Sequence, residues 1–225
     1  SAPDRKFIAD MVYGILASKS CLLTDIVDQL HEPAQKINSV DRLSGHLKKG
    51  IPASVSVSYL QTVKKMIPPD PIVLIDESDV VKPEGKQFES LGIVRDGSES
   101  TRTKNVYKKG YHVTEACALT ATKHPVSIFS RIHSSAEKDY KSVNTITFDA
   151  IRQAAALFGK ATFVMDRGYD DNKIFLMLDR LKQDYVIRLK SNRKLLYHRK
   201  WTMATDLRNR RKGKIRTDAF YKGKK

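Results

Sequence analysis

A chain of 225 residues with 40% apolar content can bury a real core and has room for a main domain plus a smaller one. Its net charge of +16 and pI near 9.8 suggest a polyanionic partner, nucleic acid before membrane, and no apolar run approaches membrane-spanning length. Two cysteines, Cys21 and Cys117, are too few for a disulfide framework or a thiolate metal site, six scattered histidines form no metal spacing, and the N-terminus shows no secretory pattern.

Residues 4–19 carry Phe7, Ile8, Met11, Val12, Ile15 and Leu16 at helical spacing, and the pattern breaks near Ser18-Lys19-Ser20. A second helix is expected over 22–31, with Thr24 as a candidate cap and Pro33 just past its end, and a third over 40–49. The third has Leu43 and Leu47 on one face and Arg42, His46, Lys48 and Lys49 elsewhere. This group fits a small helix-turn-helix-like domain with Arg42, Lys48 and Lys49 as candidate DNA contacts, and equally a plain helical bundle that only positions the main domain. One more helix over 54–67 runs into Pro68-Pro69-Asp70-Pro71, which sets the expected domain boundary: 1–68 helical, 69–193 the main domain, 194–225 the start of a basic insertion or tail.

The main domain opens with Pro71-Ile-Val-Leu-Ile-Asp76, four β-branched or aliphatic residues ending in a carboxylate, which reads as a buried strand delivering an acid at its C-terminal edge. Arg95-Asp-Gly-Ser98 is a turn signal, and 106–120 and 125–132 alternate as two antiparallel strands. A helix over 145–158 closes at Gly159. Ala161-Thr-Phe-Val-Met-Asp166 then repeats the grammar of the first strand, and a helix over 172–182 and a strand over 185–189 come after it. Three strands and then alternating helices and strands predict a mixed sheet flanked by helices, and right-handed crossovers would make the strands at Ile72 and Thr162 neighbours. Asp76 and Asp166 would then meet at one edge and could hold Mg²⁺ or Mn²⁺ on oxygen ligands, although either acid alone is better explained by turn or cap formation. Charge is concentrated behind them: residues 161–225 carry 19 basic and 7 acidic side chains, a net of +12. Arg167, Arg188, Lys190, Arg193, Arg208, Arg210 and Arg211 are therefore candidate phosphate contacts, the alternative being a solvated basic tail.

The chain resembles the DDE transposases of bacterial insertion sequences. The resemblance rests on Ile75-Asp76-Glu-Ser-Asp79 with Lys82-Pro83, on Arg95-Asp-Gly-Ser98, on Lys109-Gly110-Tyr111, and on Val164-Met-Asp166-Arg-Gly-Tyr169. It implies an α/β ribonuclease H-like catalytic core, with Asp76 on the first strand and Asp166 after the fourth as catalytic metal ligands. It also implies Mg²⁺-dependent cleavage and transfer of DNA strands at transposon ends, a homodimer on double-stranded DNA (ends and target), and a bacterial, cytoplasmic, nucleoid-associated location. Asp79, three residues from Asp76, is expected on the other face of the strand and so in a supporting role. No glutamate follows Asp166, where the family places its third ligand, and the expectation is a chain that ends early and binds DNA without cutting it. A non-catalytic DNA-binding remnant, or a nuclease or resolvase on the same fold, is the alternative.

Overall fold

The computed structural model describes residues 1–211 except Arg102, with side chains to Leu207. Two compact units divide it, Ser1–Gln61 and Thr62–Lys225.

The first unit comprises α1 (Ala2–Ser18), α2 (Leu23–Leu30), α3 (Lys36–Lys49) and most of α4 (Ala53–Met66). Ser1 caps α1 through a reciprocal box with Asp4, and a left-handed Lys19 ends it. Thr24 caps nothing, because its hydroxyl turns to Asp25 and α2 starts at Leu22 without a side-chain cap. Phe7, Ile26, Val27 and Leu43 form the core, one to two residues from each of α1, α2 and α3, and Ile8, Met11, Ile15, Leu23, Leu30 and Val40 pack around it. Beside that core Glu32 accepts from Lys6 Nζ at 2.6 Å, Ser39 Oγ at 2.6 Å and Arg42 Nη2 at 2.9 Å, and Arg42 Nη1 also reaches Asp10 at 2.9 Å. Lys6 chiefly, with Ser39 and Arg42 adding, lowers the Glu32 carboxyl from 4.5 to about 2.

The second unit is built on a six-stranded sheet of order β2-β3-β1-β5-β6, with β4 pairing β3. The strands are β1 (Ile72–Val81), β2 (Gly92–Arg95), β3 (Tyr107–Leu119), β4 (Pro125–His133), β5 (Thr162–Met165) and β6 (Asp184–Ile187). β1, β3 and β4 form an antiparallel meander, whereas β5 runs parallel to β1 and β6 parallel to β5. This is the ribonuclease H-like arrangement of a mixed sheet flanked by helices. The helix α5 (Val143–Phe158) buries Ile146, Ala150, Ile151 and Ala154, one helical stripe, and packs on β1, β3 and β4. The helix α6 (Asn172–Arg180) buries Ile174, Phe175 and Leu178 and packs beside α5. Val73, Ile75, Ala116, Ala118, Phe163 and Met165 supply the buried sheet side chains. Gly110 sits where β3 crosses β1 closely: a Cβ there would lie 2.4 Å from the Val80 carbonyl oxygen.

Two features depart from the sequence reading. The first strand does not stop at Asp76 but continues to Val81, because Asp76–Val81 pair with Glu115–Gly110 of β3 and find polar cross-strand partners there. A short strand, β2, was not foreseen and pairs with the start of β3. The basic segment after 193 forms a hairpin, β7 (Lys194–Tyr197) and β8 (Lys200–Met203), followed by α7 (Ala204–Arg211).

Candidate active site

The parallel register of β1 and β5 runs Ile72 to Thr162, Val73 to Phe163, Leu74 to Val164 and Ile75 to Met165. Asp76 and Asp166 each directly follow the last matched pair, Ile75 and Met165, on strands about 4.8 Å apart. Ile75 and Met165 are buried, and Asp76 and Asp166 are exposed. Strand alternation therefore sends both carboxylates off the face opposite the buried side chains. Asp166 remains extended, at φ −77° and ψ −173°, and caps a single 3-10 turn, Arg167–Tyr169, by accepting from Gly168 N at 2.6 Å. That hydrogen bond fixes one oxygen.

Glu115 stands directly opposite Asp76 in the antiparallel β1–β3 register. It is a third carboxylate on that face, and a search for a third acid only downstream of Asp166 overlooks it. The acids that do lie downstream are engaged elsewhere. Asp171 caps α6 through Lys173 N at 2.7 Å, Asp179 accepts from Tyr185, and Asp184 pairs with Lys160 at 3.0 Å at the far end of the sheet. Asp206 lies in α7, and Asp218 is outside the described residues. Asp79 leaves β1 on the face opposite Asp76, as an odd spacing along an unbroken strand requires, and there it meets His112 Nδ1 at 2.7 Å. Tyr169, 6% exposed, has its hydroxyl without a hydrogen-bond partner. Burial first, then the charges of Glu77, Asp76 and Asp166, raise its pKa well above the usual phenol value.

The candidate phosphate contacts separate into two groups. Arg167, Arg188 and Lys190 line one cavity of about 340 Å³ with Leu189, Ser191 and Thr205, and Arg167 directly follows Asp166 in the chain. Among the described residues neither Arg167 nor Arg188 has an ion-pair partner. Asp170 and Asp171, the acids that follow Arg167 closely in sequence, are committed to Arg193 and to the α6 cap. Lys48 and Lys49 are exposed in the last turn of α3.

Arg193 and Arg42 belong to the fold. Arg193 Nε donates to Asp170 Oδ1 at 2.7 Å, Nη1 to Asn172 Oδ1 at 2.6 Å and Nη2 to the Asp170 carbonyl at 3.1 Å, and its guanidinium lies 5.4 Å from the Phe175 ring centre. Asp170 is fully buried and also accepts from Lys190 N at 2.7 Å. Arg42 is held by Glu32 and Asp10. Arg208, Arg210 and Arg211 lie in α7, beyond the described side chains.

The Arg95-Asp-Gly-Ser98 motif is structural. Asp96, 4% exposed, accepts from Ser98 N at 3.0 Å and Glu99 N at 3.2 Å and pairs with Lys108 at 3.0 Å, so it shapes the link from β2 to β3. Ser98 and Lys108 hold its carboxyl at about 2.

The family model of the transposase DDE domain matches residues 67–225. Comparison with curated proteins returned no match. Among solved structures, the chain is similar to a piggyBac transposase in a synaptic complex with hairpin DNA, at 14% identity and TM-score 0.42 over 84% of this chain and 41% of that one. A Mos1 transposase paired-end complex with a left transposon end gives 15% identity and TM-score 0.30 over 81% of this chain and 57% of that one. A Drosophila P element transposase strand transfer complex gives 10% identity and TM-score 0.27 over 87% and 51%. The chain thus spans about half the length of these transposases.

Proposed function

Since the chain belongs to the transposase DDE domain family, we propose that it is the part of a transposase that cleaves and joins DNA strands, with Asp76 and Asp166 as its paired catalytic carboxylates. The observation that carries the proposal is the β1–β5 register, which makes these two acids neighbours at the ends of matched residues. The donor set fits a hard dication such as Mg²⁺ or Mn²⁺: all oxygen, solvent-accessible and mounted on adjacent strands. Asp76 and Asp166 would hold the ion, with Glu115 adding negative charge from the neighbouring strand. A bound dication supplies charge neutralisation at the scissile phosphodiester and eases deprotonation of an attacking water or 3′-hydroxyl.

The protein's own groups then have distinct tasks. Asp166 is aimed by its bond to Gly168 N, so the carboxylate keeps one orientation without substrate. Arg167, Arg188 and Lys190 neutralise DNA backbone phosphates in the cavity beside Asp166 and fix the strand's position without reading its sequence. Lys48 and Lys49 would add contacts from the N-terminal unit, and the arginines of α7 would extend the basic surface. The DNA is double-stranded transposon end and target, bound by a homodimer, and the location is the cytoplasm of a bacterial cell.

The test is Mg²⁺-dependent nicking of duplex DNA by the whole protein and by its Asp76→Asn and Asp166→Asn variants. Each substitution should lower nicking at least about a hundred-fold, the scale set by removal of a main electrostatic group, while DNA affinity changes little. Nicking that survives either substitution removes the catalytic assignment. Loss of DNA affinity in step with nicking would favour the reading as a DNA-binding remnant.

A further inference from the structure

A second cluster of metal-ligating side chains lies on the other face of β1, away from the Asp76–Asp166 pair. Glu77 and Asp79 alternate with Asp76 along the strand, and His112 faces Asp79 in the β1–β3 register. Their donor atoms converge: His112 Nδ1 is 2.9 Å from Glu77 Oε1 and 2.7 Å from Asp79 Oδ1, and all three lie within 4.8 Å of one another. Glu77 and His112 are half-buried and Asp79 is exposed, so an ion can reach the cluster from solvent.

The contacts are close, yet they are not hydrogen bonds. Nδ1 is a buried nitrogen without a hydrogen-bond partner although both oxygens are within 2.9 Å of it. A single N–H cannot serve two carboxylates, whereas a lone pair and two carboxylate oxygens converging on one point suit a cation. A second buried polar group is also unsatisfied. The Tyr169 hydroxyl, on a residue 6% exposed, has no partner, and after burial the charge that acts on it most is that of Glu77. A buried phenol left without a partner is free to donate to an ion-bound water or a further ligand. The ring of His112 is itself backed by that of His133, 5.6 Å away and fully buried, which Thr114 Oγ1 holds through Nε2 at 2.8 Å.

We propose that Glu77, Asp79 and His112 bind a first-row transition dication of the Mn²⁺ or Zn²⁺ class, at a site separate from the catalytic pair. One imidazole nitrogen with two carboxylates is a ligand set of that class rather than of Mg²⁺, which prefers oxygen alone. The strand pairing gives the ion a task. β5 ends at Met165, opposite Ile75, so Asp76–Val81 overhang it and are held to the sheet through β3. An ion joining Glu77 and Asp79 of β1 to His112 of β3 staples that overhang and fixes the direction in which Asp76 leaves the sheet.

The test uses Mn²⁺ with the whole chain carrying Asp76→Asn and Asp166→Asn, so that the catalytic pair cannot supply the binding. Electron paramagnetic resonance should count one bound ion, with the nitrogen modulation of a directly coordinated imidazole. Adding His112→Ala should abolish the nitrogen modulation and weaken binding at least about a hundred-fold, since loss even of a supporting partner costs ten- to a hundred-fold. Adding Asp79→Asn instead should weaken binding but keep the nitrogen signal, with circular dichroism confirming that both variants are folded. No bound ion in the doubly substituted parent, or binding indifferent to both further changes, would overturn the proposal and leave His112 as an ordinary ion-pair partner.

Discussion

Replacing Arg193 by Met tests whether its charge belongs to the fold or to DNA. The guanidinium makes three hydrogen bonds to Asp170 and Asn172 and is only 15% exposed, while the Asp170 side chain is fully buried. Removing one partner of a buried pair costs about 3–5 kcal/mol, mostly from leaving the other charge uncompensated. Asp170 keeps the Lys190 backbone N–H at 2.7 Å, and Met retains the aliphatic stem over Phe175, so the lower end, about 3 kcal/mol, is expected. Chemical denaturation followed by the fluorescence of Trp201, the single tryptophan, reads it directly. Asp170→Asn should cost less in the Arg193→Met background than alone, with a coupling of at least about 1.5 kcal/mol. A loss under about 1 kcal/mol for Arg193→Met, or additive substitutions, would refute the clamp. A fall in DNA affinity at unchanged stability would return Arg193 to the phosphate contacts.

The Glu32 pair network gives the N-terminal unit an acid-sensitive window. Its carboxyl is depressed from 4.5 to about 2, so its contribution is complete above 4.5 and is lost as pH falls towards 2. With Lys6 53% exposed, screening leaves about 1–2 kcal/mol, and Glu32→Gln should flatten the pH dependence of unfolding between 5 and 2; a slope equal to the parent's contradicts this. Gln183 bridges Ala161 N, the Gly159 carbonyl and the Leu181 carbonyl at 2.9, 2.9 and 2.7 Å, so Gln183→Ala should cost about 1–3 kcal/mol in thermal or chemical unfolding. Charge reversal at Arg188 and Lys190 should weaken DNA binding and lower its salt slope by roughly one to two units, as should reversal at Arg208, Arg210 and Arg211; an unchanged slope marks a solvated surface.

The parallel pairing of the strands that precede Asp76 and Asp166 was legible because both are short apolar runs and right-handed crossovers bring such strands together. The features that were not legible depend on partners distant in sequence. Glu-Ser-Asp after Asp76 looks like a turn, and only β3, with Thr114 opposite Glu77 and His112 opposite Asp79, keeps it a strand. Glu115 and the His112 cluster appear once that register is known. Arg42 and Arg193 show why a count of cations overstates a phosphate surface: each is spent on acids of its own unit, which charge totals cannot reveal. Among the described residues Arg167 and Arg188 have no such acid and line a cavity together.

The most direct measurement is the binding of Mn²⁺ to the protein and to its single Asp76→Asn and Asp166→Asn variants, counted by electron paramagnetic resonance. A shared site predicts that each substitution alone removes the same ion, since neither carboxylate holds it without the other, while an ion whose signal carries imidazole nitrogen is retained. Retention of every bound ion in either variant, or loss of a different ion in each, would contradict a paired carboxylate centre.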